Sequence, residues 1–529
     1  MRKIFFFLLL SNQTILAQQS CDVVIKNGKI VDGTGNNWYY ADIAITNGKI
    51  FSIQKNISLP AAKIIDATGL IIAPGFIDVH THIEGDEAKT PTADNFIYDG
   101  VTTVITGNCG SSNTDIKKYL AWIDSLKTSV NVATLIGHND VRKAVMGRAN
   151  RDPSEPEMLQ MENMVAKAME EGAVGFSTGL IYIPGTYSKT EEVVRLAKIA
   201  ARYNGVYATH MRDEGDSVTQ AIAEALHIGR EAKMPVEISH FKLSGQQNWG
   251  RSKETLPMIL QARKEGVDVT IDQYPYTASS TSLSTLIPDE ILADGQDSIN
   301  ARLNRPELKQ EVITKMMKKL RNRKLKHYSY AVVAYYKADT TLDGKSIEAI
   351  NLLKGRKHKA REEAITIMEM MQQGGAAMVF HGMNEGDVKH IMQYPFNMPA
   401  SDAGIRALGQ GVPHPRGYGT NARVLGKYVR EEKLFTLEEA IRRMTSLPAQ
   451  KFRLKERGIL KEGMAADIVV FDEAIVADAS TYELPHQYSK GFHFVLVNGQ
   501  VVVDNSKHTG IRCGTALMGP GYQKSNVKN

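Results

Sequence analysis

The stretch GFIDVHTH (residues 75–82) is a short apolar run that ends in two histidines separated by one residue. Side chains two apart on a β-strand point to the same face, so His80 and His82 can enter one site together. Seven similar runs follow and alternate with amphipathic helical stretches; they are TTVITGNCG (102–110), VATLIGHND (132–140), AVGFSTGL (173–180), GVYATHMR (205–212), PVEISHFK (235–242), VDVTIDQYPY (267–276) and FNMPASD (396–402). Eight βα units predict an α/β fold, a (β/α)8 TIM barrel, with its active site at the carboxyl ends of the strands.

Metal-ligating residue types end five of these eight runs. They are His80, His82, Cys109, His210, His240 and Asp402. Each alone has a structural explanation, and a buried thiol such as Cys109 is often only a small hydrophobic residue. Six such residues at the strand ends of one barrel are difficult to explain by packing, and imidazole, thiolate and carboxylate are the ligands that zinc prefers. The sequence therefore predicts a zinc site at the mouth of the barrel.

The two ends of the chain have a different pattern from the middle. Short alternating runs broken by Asn-Gly and Asp-Gly turns occupy residues 21–72 and return in residues 455–510, which predicts β-hairpins. We expect these segments to form one small, discontinuous β-sandwich domain, with the barrel hydrolase domain at residues 73–454 between them. The stretch from about 284 to 380 exceeds one βα unit and is predicted to be an insertion with two helices, ITKMMKKLRNRKLK (313–326) and AREEAITIMEMMQQG (360–374). Its basic run KKLRNRKLK is interpreted as a solvated helix face.

The first residues are typical of a secretory signal peptide. A basic start, MRK, precedes the apolar run IFFFLLL and a cleavage site after Ala17, so residues 1–17 are predicted to be removed and the protein to be periplasmic or secreted. Lipid anchoring at Cys21 is less favoured, because Gln18, Gln19 and Ser20 make a poor lipoprotein cleavage site and a strand begins at once. No other stretch is predicted to span a membrane.

Net charge and cysteine count exclude some classes of partner and of cross-link. The 529 residues carry a formal net charge of only +6 and no sustained basic block, which argues against nucleic acid as a partner. Three cysteines are too few for a disulfide framework.

Several motifs together resemble the D-aminoacylase, or N-acyl-D-amino-acid deacylase, branch of the amidohydrolase superfamily. They are PGFIDVHTHIEGD, GNCG, FSTGLIYIPGTYS, ATHMRDEGD, SHFK, YPYTASST, SDAG, HPRGYGTNARVLGKYV and GMAADIVVF, and they extend over nearly the whole mature chain. The resemblance implies that Cys109 bridges two zinc ions. A tight site would use Cys109, His210 and His240, and a second, weaker site would use His80 and His82 with Cys109. Asp402 would be both a metal neighbour and the general base.

The same resemblance implies residues that recognise the substrate. Tyr182 would donate a hydrogen bond to the oxyanion of the tetrahedral intermediate, and Arg416 would clamp the free α-carboxylate of a small-molecule substrate. Its implied companions are Lys242, Tyr274 and Ser280. Two other strand-end residues are not assigned to metal or substrate binding. Arg212 is expected to support the site from outside it, and the role of His138 stays open.

The predicted function is zinc-dependent hydrolysis of N-acyl-D-amino acids to a carboxylate and a free D-amino acid, with the preference for the D-enantiomer resting on the resemblance alone. Two enzyme alternatives stay open: a cyclic-amide hydrolase of the hydantoinase or dihydroorotase type, and a dipeptidase acting on cell-wall fragments that contain D-amino acids. Cyclic-amide hydrolases usually use a bridging lysine at the fourth strand, which here reads FSTGL and has none. A binding or structural protein that has lost its chemistry would be expected to lack the ligands, and all six are present.

Overall fold

Both ends of the chain contribute strands to one sheet. The structure is a computed structural model that describes residues 20–523, so the predicted signal peptide lies outside the described residues. Nine strands form the sheet: Cys21–Ile30, Tyr39–Thr46, Lys49–Gln54, Ala61–Asp66, Ile71–Pro74, Ile468–Phe471, Phe492–Val497, Gln500–Asp504 and Lys507–His508. Antiparallel pairing of Ile71–Pro74 with Ile468–Phe471 joins the strands of the two chain ends. Asn47 and Gly48 both have positive φ in the hairpin between the second and third strands, as a type I′ turn requires.

This terminal sheet encloses an apolar core. Residues from both chain ends pack in one cluster, including Ile25, Ile43, Ile468 and Leu496. Ile72, on the strand that lies between those of Ile468 and Ile25, belongs to the same cluster, so both chain ends contribute to one core, in agreement with the predicted β-domain built from both chain ends.

The eight predicted parallel strands are all present between these two segments. They are Phe76–Asp78, Val101–Thr106, Asn131–Thr134 continued by Ile136–Gly137, Gly175–Gly179, Val206–His210, Val236–Ile238, Val269–Gln273 and Asn397–Pro399. Neighbours pair in parallel from the first strand to the third and from the third to the eighth. Backbone bonds from Asp402 N to His80 O and from His82 N to Ala403 O, both 2.9 Å, join the eighth strand to the first. The ring is therefore closed, and the predicted TIM barrel is confirmed.

Helices cover the outside of the barrel through apolar faces. In Val218–Ala232, for example, Ala221, Ile222, Ala225 and Ile228 are buried at the three- and four-residue spacing of one helix face. The helices outside the insertion are Asp94–Ile97, Ile116–Leu126, His138–Met146, Glu155–Glu170, Thr190–Ala201, Val218–Ala232, Ser252–Lys264, Glu385–Met392, Arg416–Arg423, Leu437–Met444 and Ser446–Lys451, with 3-10 turns at Gly185–Tyr187 and Gln246–Asn248 and a π-helix at Val424–Glu431. Within residues 20–523, none of the helices combines the length and apolarity needed to cross a bilayer.

The insertion between the seventh and eighth strands has its own sheet and core. Three antiparallel strands, Ala278–Ser282, Ala331–Tyr335 and Ala377–His381, pack with the helices Asp289–Leu292, Gln296–Leu303, Pro306–Asn322, Ile347–Leu353 and Ala360–Gln372 and the 3-10 turns Leu283–Leu286 and Thr340–Leu342. Leu286, Met316 and Ile367 belong to their common apolar cluster. The sheet begins at Ala278, before the expected boundary near residue 284. The sequence did not predict this strand because ASSTS is polar and has no apolar run.

Candidate metal centre

The six predicted ligands meet at the carboxyl ends of the barrel strands. Cys109 Sγ lies 3.4 Å from His80 Nε2, 3.7 Å from His210 Nδ1 and 3.6 Å from His240 Nε2. Asp402 Oδ1 lies 3.6 Å from His80 Nε2 and 3.3 Å from His82 Nε2. The thiol is therefore at the centre of three imidazoles, and the carboxylate closes the other side of the cluster.

The backbone turns sharply where these ligands leave their strands. Cys109, His240 and Asp402 have φ of +53°, +35° and +49°, values that cost a non-glycine residue conformational energy and that occur preferentially at functional sites. Gly110 beside the thiol also has positive φ, and a Cβ there would lie 2.2 Å from Asn139 Oδ1. Glycine is therefore required at position 110 for the GNCG segment to bring the thiol to the cluster.

The separations in the cluster fit a zinc ion. On a tetrahedral zinc with Zn–S of about 2.3 Å and Zn–N of about 2.0–2.1 Å, the sulfur and nitrogen ligands lie about 3.5 Å apart. The three distances from Cys109 Sγ are close to that value. Buried His210 Nε2 has no hydrogen-bond partner among the described residues, and Glu214 Oε2 lies 3.8 Å from it, while the Nδ1 of the same ring faces the thiol. The donor set and its spacing therefore suit a metal better than a hydrogen-bonded core.

Electrostatics favour the anionic forms of the two acidic ligands. Burial alone would raise the pKa of the Cys109 thiol, but His80 and hydrogen bonds from His210 and His240 outweigh it and hold the pKa well below its usual value. Burial would likewise raise the pKa of Asp402, but Arg416 and His80 hold it well below the usual carboxyl range. Both groups are therefore ready to bind a cation.

Two carboxylates that the sequence analysis missed hold the imidazoles in place. Asp272 Oδ2 lies 3.1 Å from His80 Nδ1, and Glu214 Oε1 lies 2.9 Å from His240 Nδ1. A carboxylate on the second ring nitrogen fixes the orientation of a metal-ligating histidine. Two sequence signals could have found them: Asp272 is the last residue but one of the seventh strand, and Glu214 follows His210 by four residues.

Arg416 lies directly beside the cluster. Its Nη1 is 2.9 Å from Asp402 Oδ2, and its guanidinium stacks over the Tyr274 ring with the carbon 4.5 Å from the ring centroid. Its Nη2 donates to the backbone carbonyl of Ser280 at 3.3 Å. Ser280 contacts the arginine through its backbone and also lines the cavity at the cluster, so its expected contact with substrate stays a prediction.

Lys242 and Tyr182 border the cluster from other sides. Lys242 Nζ is 2.5 Å from Glu214 Oε1 and 2.7 Å from His240 Nδ1. It therefore contacts both His240 and the carboxylate that orients this histidine. Tyr182 donates or accepts a 3.0 Å hydrogen bond with Thr281 Oγ1, and its ring centroid is 4.8 Å from that of His210. Burial, followed by the charge of Cys109, raises the pKa of Tyr182 well above its usual value, so its hydroxyl stays protonated and can donate.

His138 and Arg212 lie outside the cluster. His138 Nε2 contacts Glu192 Oε1 at 2.8 Å, and Arg142 pairs with the same carboxylate, so this buried histidine belongs to a group apart from the metal ligands. Arg212 pairs with Glu224 and donates to the carbonyls of Thr186 and Ser188. It holds the loop after the fourth strand, in agreement with an indirect role.

A cavity of about 760 Å³ opens onto the cluster. Its inner wall includes Cys109, Asp402 and Arg416, and its outer wall comes from the insertion, with Tyr330 and Phe380 among the lining residues. Lys319 and Arg323 line it as well. The interpretation of KKLRNRKLK as a solvated helix face is therefore wrong for these two residues, because the helix packs one of its sides against the cavity.

A closed barrel with a thiol and histidine cluster at its strand ends defines a class of protein, the metal-dependent hydrolases built on a (β/α)8 barrel. The model of the amidohydrolase family matches residues 63–503, and the chain belongs to this family.

Characterised relatives resemble the chain over most of its length. It is 36% identical over 507 residues to the N-acyl-D-glutamate deacylase of Alcaligenes xylosoxydans xylosoxydans, which covers 92% of this chain and 94% of that protein. The crystal structure of the N-acyl-D-glutamate deacylase of Bordetella bronchiseptica, complexed with zinc and a phosphonate that mimics the tetrahedral intermediate, is 34% identical with a TM-score of 0.80 over 94% of this chain and 100% of that chain. A D-aminoacylase structure that concerns a binuclear metal centre, with one-metal activation and second-metal attenuation, is 33% identical with a TM-score of 0.79 and the same coverage.

Proposed function

We propose that the protein hydrolyses the amide bond of N-acyl-D-amino acids in a zinc-dependent reaction that releases a carboxylate and a free D-amino acid. One observation carries the proposal: Asp402 contacts the imidazoles of the metal cluster through Oδ1 and Arg416 through Oδ2. A proton-accepting carboxylate therefore lies between a metal site and a guanidinium that can bind an α-carboxylate. The resemblance to N-acyl-D-glutamate deacylase and D-aminoacylase supports the substrate class and its handedness.

The two metal sites would share the thiol. Cys109, His210 and His240 would hold the tight zinc, and His80 and His82 with Cys109 and Asp402 would hold a second, weaker one. Contacts from Cys109 Sγ to residues of both sets support its role as the shared ligand. A bound zinc ion would lower the pKa of water and polarise the amide carbonyl.

The residues of the chain would then divide the remaining work. Asp402 would accept a proton from the attacking water and return it to the leaving nitrogen, because an amine leaves poorly without a proton. The Tyr182 hydroxyl would donate to the oxygen that becomes negative. Arg416, held flat on Tyr274, would bind the substrate carboxylate with N–H groups that Asp402 and the Ser280 carbonyl leave free. Lys242 would add positive charge at the cavity wall while it positions His240.

A substrate panel tests this function. We expect hydrolysis of N-acetyl-D-amino acids, little hydrolysis of their L-enantiomers, and little of a hydantoin or of a dipeptide with a C-terminal D-residue. Faster hydrolysis of the hydantoin would favour the cyclic-amide alternative, and faster hydrolysis of the dipeptide would favour the dipeptidase. Either result would overturn the proposal.

We further propose that the protein is exported and cleaved after Ala17. The basic start and short apolar run of residues 1–17 support this. Cys21 is buried at the beginning of its strand, where its backbone N–H donates to Pro60 O at 2.8 Å, which suits a protein-packed position better than a lipid-bearing one. Amino-terminal sequencing of the protein from a periplasmic fraction should begin at Gln18, and an uncleaved or lipid-modified chain would contradict the proposal.

A further inference from the structure

Two histidines and two glutamates meet inside the insertion, and none of the four lines the active-site cavity. His327 Nδ1 is 2.6 Å from Glu363 Oε1 and 3.7 Å from Glu348 Oε1. His358 Nε2 is 2.5 Å from the same Glu348 oxygen. One ligand atom from each residue lies within 4.8 Å of those of the other three, so the nitrogens and oxygens converge on one point.

Four different segments bring these side chains together. Glu348 and Glu363 lie in the first turns of the helices Ile347–Leu353 and Ala360–Gln372. His358 lies between those helices, and His327 lies after the helix Pro306–Asn322. The two imidazoles stack with centroids 4.1 Å apart and planes 23° apart. A ligand held by all four would join the helices Ile347–Leu353 and Ala360–Gln372 to the segments that carry His358 and His327.

The burial of Glu363 points to a cation. Its side chain is completely buried, with one oxygen toward His327 and the other accepting from Tyr328 N at 2.7 Å. Buried charged groups are paired or coordinate a metal. The two carboxylates would match the charge of one divalent cation, and the two imidazoles would add nitrogen ligands. Imidazole nitrogen with carboxylate oxygen is a donor set that suits zinc.

We propose that His327, Glu348, His358 and Glu363 bind one divalent transition-metal ion, of which zinc is the best match, at a structural site separate from the hydrolytic centre. Ligand nitrogen and oxygen atoms on a tetrahedral zinc lie about 3.4 Å apart. The two direct histidine–glutamate contacts, at 2.5 and 2.6 Å, would therefore open by roughly 1 Å as the ion enters. Because His358 is more than half exposed, it can move by that amount.

The ion would support the wall of the active-site cavity. His327 lies between Leu325 and Tyr330, both of which line that cavity, and Glu363 holds the backbone of Tyr328 in the same segment. Fixing His327 would restrict residues 325–330. Loss of the ion should therefore loosen the cavity wall while the catalytic cluster keeps its own metal.

Zinc titration of the chelator-treated full chain tests the site, with bound zinc counted by elemental analysis and the melting midpoint recorded in parallel. His358→Gln and His327→Gln should each bind one zinc fewer per chain than the wild type, and zinc should raise their midpoints less. His227→Gln, at an exposed histidine on the helix Val218–Ala232, is the matched control and should behave as the wild type.

Two comparisons make the outcome decisive. The Cys109→Ala variant should retain the additional zinc, because the site does not depend on the hydrolytic centre. Zinc content and midpoints in both histidine variants that equal those of the wild type would overturn the proposal, and the cluster would then be an ion-pair network. Should one variant fail to fold, the other still decides between these outcomes.

Discussion

Arg416 and Asp402 form a buried ion pair, with Nη1 of the arginine 2.9 Å from Oδ2 of the aspartate. Arg416 begins the helix Arg416–Arg423, and Asp402 lies just beyond the eighth barrel strand. Their contact joins the proposed carboxylate clamp to the proposed general base. A substrate carboxylate that binds Arg416 would therefore bring its amide bond close to Asp402.

Arg416→Lys should impair hydrolysis although it keeps the positive charge. Lysine presents a point charge and cannot form two parallel hydrogen bonds with a carboxylate. A hydrogen bond to a charged group contributes about 1.5–3 kcal/mol, so kcat/KM should fall roughly ten- to a hundred-fold on an N-acyl-D-amino acid. The matched substrate is the same compound with its α-carboxylate replaced by a neutral amide, for which the loss should be much smaller. Equal losses on both substrates would make Arg416 a structural residue and remove the clamp from the proposal.

Cys109→Ala should remove the tightly bound zinc and nearly all activity while the fold remains. The thiol is the atom shared by His80, His210 and His240, so its removal leaves three imidazoles without the anionic ligand that joins them. Elemental analysis after dialysis and circular dichroism provide the two measurements. Cys513→Ala is the control, because that half-buried thiol donates to the Val497 carbonyl in the terminal sheet. Full zinc and turnover in Cys109→Ala would reduce Cys109 to a packing residue.

The apolar runs of the sequence predicted the barrel well because buried parallel strands leave a strong local signal. His80, Cys109, His210 and His240 could be found for the same reason: each follows such a run, and the fold then brings the strand ends together. Glu214 gave a weaker signal because it lies in a loop. Its contact with His240 depends on the path of that loop after the fifth strand.

The role of Ser280 shows a second limit of sequence patterns. A motif identifies a residue but does not say whether its side chain or its backbone makes the contact. Here the Ser280 carbonyl accepts from Arg416, because the polar strand Ala278–Ser282 lies beside the arginine. Lys242 is similar: its position beside the cavity was predictable, but its pairing with Glu214 requires the three-dimensional structure.

Asp99 should make stability depend on pH. Burial raises the pKa of this carboxyl to about 7, although Asn421, Ala422 and Ser489 donate hydrogen bonds that partly offset the effect. In the unfolded chain its pKa is about 3.9. Between these values the folded state keeps a proton that the unfolded state has released, so the contribution of Asp99 to stability falls as pH rises from about 4 to about 7 and is constant above that.

The comparison is between the wild type and Asp99→Asn, which cannot titrate at this position. The melting midpoint of the wild type minus that of the variant should be smaller at pH 8 than at pH 5, by on the order of a few degrees. A difference that does not change over this range would mean that Asp99 is already ionised in the folded state at pH 5.

Asp402→Asn should separate binding from proton transfer. The amide retains the size of the carboxylate and can still place an oxygen beside Arg416, but it cannot take a proton from water and return it to the leaving nitrogen. Loss of a general base typically lowers the rate by ~10²–10⁴-fold, so kcat should fall by that order while KM changes little. Zinc at Cys109, His210 and His240 should remain, and elemental analysis of the same preparation checks this. Asp402 is proposed as the base because its carboxylate contacts both the imidazoles and Arg416. A variant that keeps its tight zinc and more than about a tenth of the wild-type kcat would show that another group moves the proton.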